Sequence, residues 1–448
     1  MDPNLRGQWS SKIGFILAGA GAAIGLGNIW RFSYVAGENG GAAFVLVYLF
    51  FVIFLGIPLM IGELALGRFT QKNPVGAFTT IKNKPIWKFA GFWGILTCLG
   101  ILSFYSVIAG WTFGYIFKML SGDAYGYQTF VSDPYVEIGL FAVFLLFTAG
   151  IVYGGVEKGI EKWSKILMPL LLLILIALIV YANFLEGSSK GLEFYLKPDL
   201  SKITPKVILS AVGQAMFSLS LGMGLMITYG SYLSKNENIF VSGTSIALLD
   251  TLIAIMAGFV IFPALFAMGE NPEAGPSLVF VVLPKLFVNM PAGQLVGAFF
   301  FILLSIAALT STISMLEVPV AYFVDEKKVN RKKIVIYATI FTFIMGIPSA
   351  LSQGTVDFFT NFGLLPKSLS SPDFLSHMNF IFGDFAIVLG AVLLSIFVGW
   401  VWGTKPAIDE INQGSMKFHK IAPIWAFFMK YIIPIMIILI FLSLFNIF

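Results

Sequence analysis

GAGAAIGLGNIWRF, residues Gly19 to Phe32, sits in the middle of an otherwise apolar segment. Gly19, Gly21, Gly25 and Gly27 stand where a helix interior would run, and each costs that helix about 1 kcal/mol relative to Ala. Asn28 and Arg31 add polar groups at the same place. The stretch therefore weakens a helix where it also installs hydrogen-bonding and charged side chains, which is how a helix is unwound to make a site.

The rest of the chain says what kind of helix this is. Of 448 residues, 58% are hydrophobic and only 11% charged, with a mean hydropathy of +0.89. That is too little charge to clothe a water-soluble surface of this size. Apolar runs of about 20 residues recur along the length, the length that crosses a bilayer as a helix, and the alternation of a membrane barrel is absent. The first segment lacks a small-residue cleavage site and carries polar residues at its core, so it reads as a retained span. The single cysteine, Cys98, excludes an internal disulfide, and with only His377 and His419 a Cys/His metal centre is excluded as well. Basic residues scatter among loops rather than forming a stripe, which argues against nucleic acid as a partner. GAGAAIG has neither the spacing nor the preceding strand of a nucleotide-binding loop.

Hydropathy predicts eleven spans, near residues 12–36, 42–70, 86–120, 138–155, 161–184, 206–234, 240–269, 293–325, 333–352, 376–402 and 422–447. Most Lys and Arg then fall in the loops of one side, among them Arg68, Lys72, Lys158, Lys162, Lys327 and Lys332. This places the N-terminus in the cytoplasm and the C-terminus outside, as a multi-pass protein of the cell membrane. Proline and glycine in Glu270 to Leu278 break an outer connection.

A second interrupted segment lies in span six, VGQAMFSLSLGMGLMITY (Val212 to Tyr229), where Ser218, Ser220, Gly222 and Gly224 break the run. Gly21 and Gly25 alone also fit a G-x-x-x-G packing motif. Two interrupted spans five apart, however, are the mark of a secondary transporter built from two repeats, with the substrate between the breaks. Unwinding frees carbonyls for a cation and N–H groups for a carboxylate. The fold class is an all-α polytopic membrane protein with a 5+5 inverted repeat and broken helices one and six. It forms a single domain over 1–448, with repeats at about 9–184 and 206–402 and an extra helix at about 422–447.

These two stretches, with ENGGAAF (Glu38 to Phe44), GELALGR (Gly62 to Arg68) and AALTSTISM (Ala307 to Met315), resemble the neurotransmitter:sodium symporter family, and within it the prokaryotic amino-acid transporters. The resemblance implies sodium-coupled symport of an amino acid with two Na+ ions, and no enzymatic activity. It implies a first sodium site from the Ala23 carbonyl, Asn28, Ser218 and Asp250, and a second from the carbonyls of Gly21, Ile24 and Ala307 with the hydroxyls of Thr310 and Ser311. The pocket would be lined by Ala23, Leu26, Gly27, Ile101, Tyr105, Phe217, Ser218, Ser220, Met223, Ser311 and Met315. Arg31 and Asp384 would close the outside, and Arg6, Trp9, Tyr232 and Asp325 the inside. Glu63 would brace the break in span one, while Glu317 has no assigned role.

Family members that carry monoamines have Asp where this chain has Gly25, so the expected cargo keeps its own carboxylate. The wall of Ile101, Phe217, Met223 and Met315 then selects a neutral, hydrophobic side chain. Met223, where a relative has Phe, is unbranched and adaptable, and extends the expected range to aromatic amino acids. Asp250 stands where the family typically has Asn. It is expected to supply the negative charge that chloride supplies elsewhere, making transport chloride-independent. Membrane lipid is the expected surrounding partner, and oligomeric state is left open. The alternative is a membrane sensor that binds an amino acid without moving it.

Overall fold

The computed structural model describes residues 7–123, 126–270, 272, 278–366, 369–413 and 416–444, and every regular element among them is helical. Among the described residues nine helices are long and apolar enough to cross a bilayer: Ala42–Thr70, Pro85–Ser121, Pro134–Tyr153, Val156–Asn183, Ile239–Ala267, Gly293–Lys327, Arg331–Ala350, Phe374–Asn412 and Ala422–Leu442. Lys12–Ala23 and Gly27–Glu38 together make a tenth, bent by 57° at the opening glycines. A second broken segment consists of Pro205–Ser218 and the short Leu225–Gly230. Arg6 and most of the expected break at Glu270 to Leu278 lie outside the described residues.

Local chemistry sets the helix starts. Ser11, Thr204 and Asn238 each accept a hydrogen bond from a backbone N–H in the first turn of the helix that follows, and Pro85, Pro134 and Pro205 occupy first positions, where a missing N–H costs nothing. Span ten runs further than hydropathy predicts. The chain passes Gly403 at φ +91° and continues as the amphipathic turns Thr404–Asn412, whose polar residues a hydropathy reading assigns to a loop.

Packing is that of a membrane protein. Large apolar side chains such as Phe50, Ile53, Tyr337, Ile340, Phe341 and Ile344 face outward, about half exposed, while Asn28, Ser218, Asp250, Thr310 and Ser311 are buried. Helices Pro85–Ser121 and Gly293–Lys327 make the largest helix–helix contact, joined by the Thr112 and Ser305 hydroxyls at 2.9 Å. Thr148 and Thr312 pair likewise at 2.7 Å. Such hydroxyl pairs hold helices together where lipid offers no hydrophobic drive for association. The two broken segments lie against this central pair.

Candidate substrate and sodium site

The break in the first span is an extended Ile24 (φ −67°, ψ 112°) followed by a π-helical turn over Gly27–Arg31. In span six the chain leaves Ser218 and passes through Ser220 at φ +53°, Gly222 at +85° and Gly224 at +74° before the helix resumes. Left-handed backbone is open to glycine at little strain. Gly222 is doubly constrained, since a Cβ there would meet the Ile387 carbonyl at 2.4 Å.

One polar cluster joins the two breaks to the helix Ile239–Ala267. Asn28 Nδ2 donates to Ser218 Oγ at 2.9 Å and to Asp250 Oδ1 at 2.7 Å, and Ser218 Oγ donates to Asp250 Oδ2 at 2.7 Å. Asn28 Oδ1 accepts the Gly25 N–H at 2.9 Å, so the side chain caps the resumed helix. Tyr48 reaches Ser218 Oγ at 3.4 Å, and Gln214 Nε2 donates to the Gly27 carbonyl at 2.9 Å. Asn28, Ser218 and Asp250 thus converge as expected. The Asp250 carboxylate lies beside the neutral Asn28 and Ser218 side chains, an arrangement that could offset a cation's charge in a medium of low dielectric.

A second cluster lies on the other side of the same break. Ser311 Oγ donates to the Ile24 carbonyl at 3.0 Å, and Thr310 Oγ1 donates to the Ala307 carbonyl at 3.0 Å. Gly21 is packed on Thr310, whose Cβ a side chain at Gly21 would approach to 3.1 Å. The five residues expected at the second sodium site are therefore neighbours. Carbonyl and hydroxyl oxygens without sulfur or imidazole suit a hard cation.

Between the clusters is a cavity of about 30 Å³. All the pocket residues expected from the sequence except Leu26 line it, with Gly25 and Ile387 in addition. Gly25 is required by space: a Cβ there would meet Ser311 Oγ and the Tyr105 hydroxyl at 2.6 Å each. Leu26 instead faces a larger vestibule of about 320 Å³, while its N–H donates to the Tyr105 hydroxyl at 2.8 Å. Gly27, Tyr105 and Phe217 line both spaces and form the partition between them. Above the partition, Arg31 pairs with Asp384 at 3.0 Å, and its guanidinium lies 4.3 Å from the Phe217 ring centre.

On the opposite side, Trp9 Nε1 donates to the Tyr229 carbonyl at 3.0 Å and its ring meets Tyr229 and Tyr232 edge-on. Asp325 accepts from the Asn73 backbone N–H at 3.1 Å and from its side chain at 3.3 Å. Of the acids near these breaks, Glu317 has no role assigned from the sequence and Glu161 is not singled out by it. Glu317 accepts from the Tyr232 hydroxyl at 2.7 Å and from Arg331, which also donates to the Val152 carbonyl. Glu161 clasps the start of the first span, accepting from Ser10 N and Ser10 Oγ at 2.7 Å and from Ser11 Oγ at 2.8 Å. Glu63 corrects an expectation: its carboxylate accepts the Gly222 N–H at 2.7 Å, so it braces the break in span six. The N–H groups left orphaned by unwinding that segment are what draw it there.

Comparison with known proteins agrees with this geometry. The profile of the sodium:neurotransmitter symporter family matches residues 6–129 and 134–448. The uncharacterized sodium-dependent transporter YhdH of Bacillus subtilis is 39% identical over 98% of both chains. The human sodium- and chloride-dependent GABA transporter 2 is 26% identical over 91% of this chain and 75% of its own length. The crystal structure of MhsT in complex with L-phenylalanine superposes with a TM-score of 0.88 at 43% identity, covering 98% of this chain and all of that one. Two broken helices, polar clusters on either side of a small cavity, and a match along nearly the whole chain agree: this protein is a member of the sodium:neurotransmitter symporter family, a sodium-coupled transporter and not an enzyme.

Proposed function

We propose that the protein imports neutral, hydrophobic amino acids, aromatic ones included, together with two Na+ ions by alternating access, and needs no chloride. The observation that carries this reading is Asp250, buried and hydrogen-bonded to both Asn28 and Ser218. Two sodium ions and a zwitterion bring two net positive charges, and a fixed carboxylate offsets one of them. The L-phenylalanine bound to MhsT supports an aromatic cargo, as does the uncharged wall of Ile101, Phe217, Met223 and Met315.

The arrangement accounts for coupling. Ion one bridges Asn28 and Ser218, the ends of the two broken helices, and the substrate carboxylate completes its shell beside Tyr105. Ion two joins Ile24 to Ser311, tying the inner half of span one to the helix Gly293–Lys327. Each ion shifts the population only through its different affinity for the two facings. With both bound, Phe217 and Tyr105 close under Arg31 and Asp384. Loss of the second ion frees the inner half of span one, held otherwise by Trp9 and Glu161. Trp9, Tyr232 and Asp325, with Arg6, form the inner gate. The N-terminus is cytoplasmic, and the repeats 9–184 and 206–402 exchange facings about the site, with 422–447 as an added helix.

Competition tests the cargo. In sodium medium, Trp and Tyr are expected to displace radiolabelled Leu from the purified protein at least as well as Ala and Gly do. Displacement by Ala and Gly but by neither aromatic amino acid would mean a small pocket and refute the proposed range.

A further inference from the structure

Lys430 is out of place by composition: a lysine in the last span, eight residues beyond the helix start at Ala422 and therefore about 12 Å along it. Among the described residues no carboxylate lies within ion-pair distance of it. Glu410, the buried acid of the neighbouring connection, is already held by Arg68 at 2.7 Å and Lys235 at 3.1 Å. The ammonium instead sits 4.4 Å from the Trp400 ring centre and 5.7 Å from that of Tyr431.

The backbone is arranged to produce this contact. Spans ten and eleven both turn π-helical where they meet, over Phe397–Gly403 and Phe428–Ile432. Gly399 lets the backbones touch, since a Cβ there would lie 3.0 Å from the Met429 carbonyl and 3.2 Å from Lys430 Cα. Trp400 Nε1 then donates to the Lys430 carbonyl at 3.0 Å, which fixes the indole under the ammonium. Trp400 is 56% and Tyr431 44% exposed, on a surface that faces lipid. Because a helical Cβ tilts toward the helix N-terminus, Lys430 leans back toward Ala422 and the end of span ten. There Lys405 and Lys420 are exposed as well. Indole and phenol rings belong at the level of lipid headgroups, and a lysine at such depth extends to that level.

The geometry points to a binding site for an acidic phospholipid, its headgroup phosphate against the Lys430 ammonium and its glycerol region along Trp400 and Tyr431. The cation supplies the charge, the rings hold it at one depth, and the lipid supplies the anion that the protein withholds.

Native mass spectrometry of the full chain, released from mild detergent containing equal phosphatidylglycerol and phosphatidylcholine of the same acyl chains, tests the site. The wild type is expected to retain the acidic lipid about fivefold over the neutral one. Lys430→Gln brings the ratio near one, Lys430→Arg keeps it, and the paired change Lys405→Gln and Lys420→Gln leaves it intact. Should Lys430→Gln fail to fold, Trp400→Leu keeps the charge, removes its platform and is expected to lower the ratio in the same direction. Excess glycerol 3-phosphate should not displace the lipid. Three results would overturn the site: equal retention of both lipids by the wild type, a preference that survives Lys430→Gln but not the loop changes, or displacement by the soluble phosphate.

Discussion

Asp250→Asn is expected to turn chloride-independent uptake into chloride-dependent uptake. A unit charge about 4 Å from a cation at an effective dielectric near 20 is worth about 4 kcal/mol, close to a thousandfold in affinity. Replacing the carboxylate with a neutral amide of the same shape should therefore cost most of the sodium and substrate affinity in chloride-free medium. The rest of an anion site is already present. The Tyr48 hydroxyl and Ser218 Oγ lie 3.4 Å apart, and buried Gln214 Nε2, which donates one N–H to the Gly27 carbonyl at 2.9 Å, carries a second N–H. Chloride should then restore much of the uptake. Initial rates of labelled Leu uptake in chloride and in gluconate check this, and equal wild-type-like uptake in both would remove Asp250 from the role.

Thr310→Val carries the second large effect. Valine keeps the shape of threonine but removes one of two hydroxyls from the proposed second sodium site, leaving Ser311 and the carbonyls of Gly21, Ile24 and Ala307. An oxygen bonded to a charge is worth about 1.5–3 kcal/mol, so half-saturation for sodium should rise about ten- to a hundredfold while uptake at very high sodium recovers. The sodium dependence of uptake at fixed substrate separates this from misfolding, which lowers the maximum at every sodium concentration. An unchanged sodium curve would mean that Thr310 is only a packing residue, its hydroxyl spent on the Ala307 and Ile306 carbonyls.

Much of this architecture was readable from residues alone because unwinding leaves a compositional trace. Four glycines beside Asn28 in one apolar run, and Ser218 to Gly224 in another, mark both breaks, and long apolar runs mark the helices around them. The π turns left no such trace. Shifting the register by one residue within Gly27–Arg31 changes no composition, yet it accompanies the turn of Leu26 into the vestibule while Gly27 lines both spaces. Ile387 reads as an ordinary apolar residue of span ten and enters the cavity only because Gly222 packs on its carbonyl. The braces were hidden for a different reason. Glu161 with Ser10, Glu317 with Arg331 and Glu63 with Gly222 are contacts between distant segments, and each acid alone has several possible donors. A buried charge in a membrane announces a function, but only the packed structure names its partner.

The clasp of Glu161 on Ser10 and Ser11 and the bond of Ser311 to Ile24 hold the two ends of the first half of span one, Lys12–Ala23, which suits an element that is released as a body. In the proposed cycle that release follows loss of the second sodium ion, and it is what couples transport to the sodium gradient. Accumulation of labelled Leu or Phe inside proteoliposomes under an imposed inward sodium gradient tests it most directly. Uptake is expected to overshoot equilibrium, to collapse when sodium is equal on both sides, and to proceed without chloride. Sodium-dependent binding with no accumulation would contradict it and make the protein a sensor.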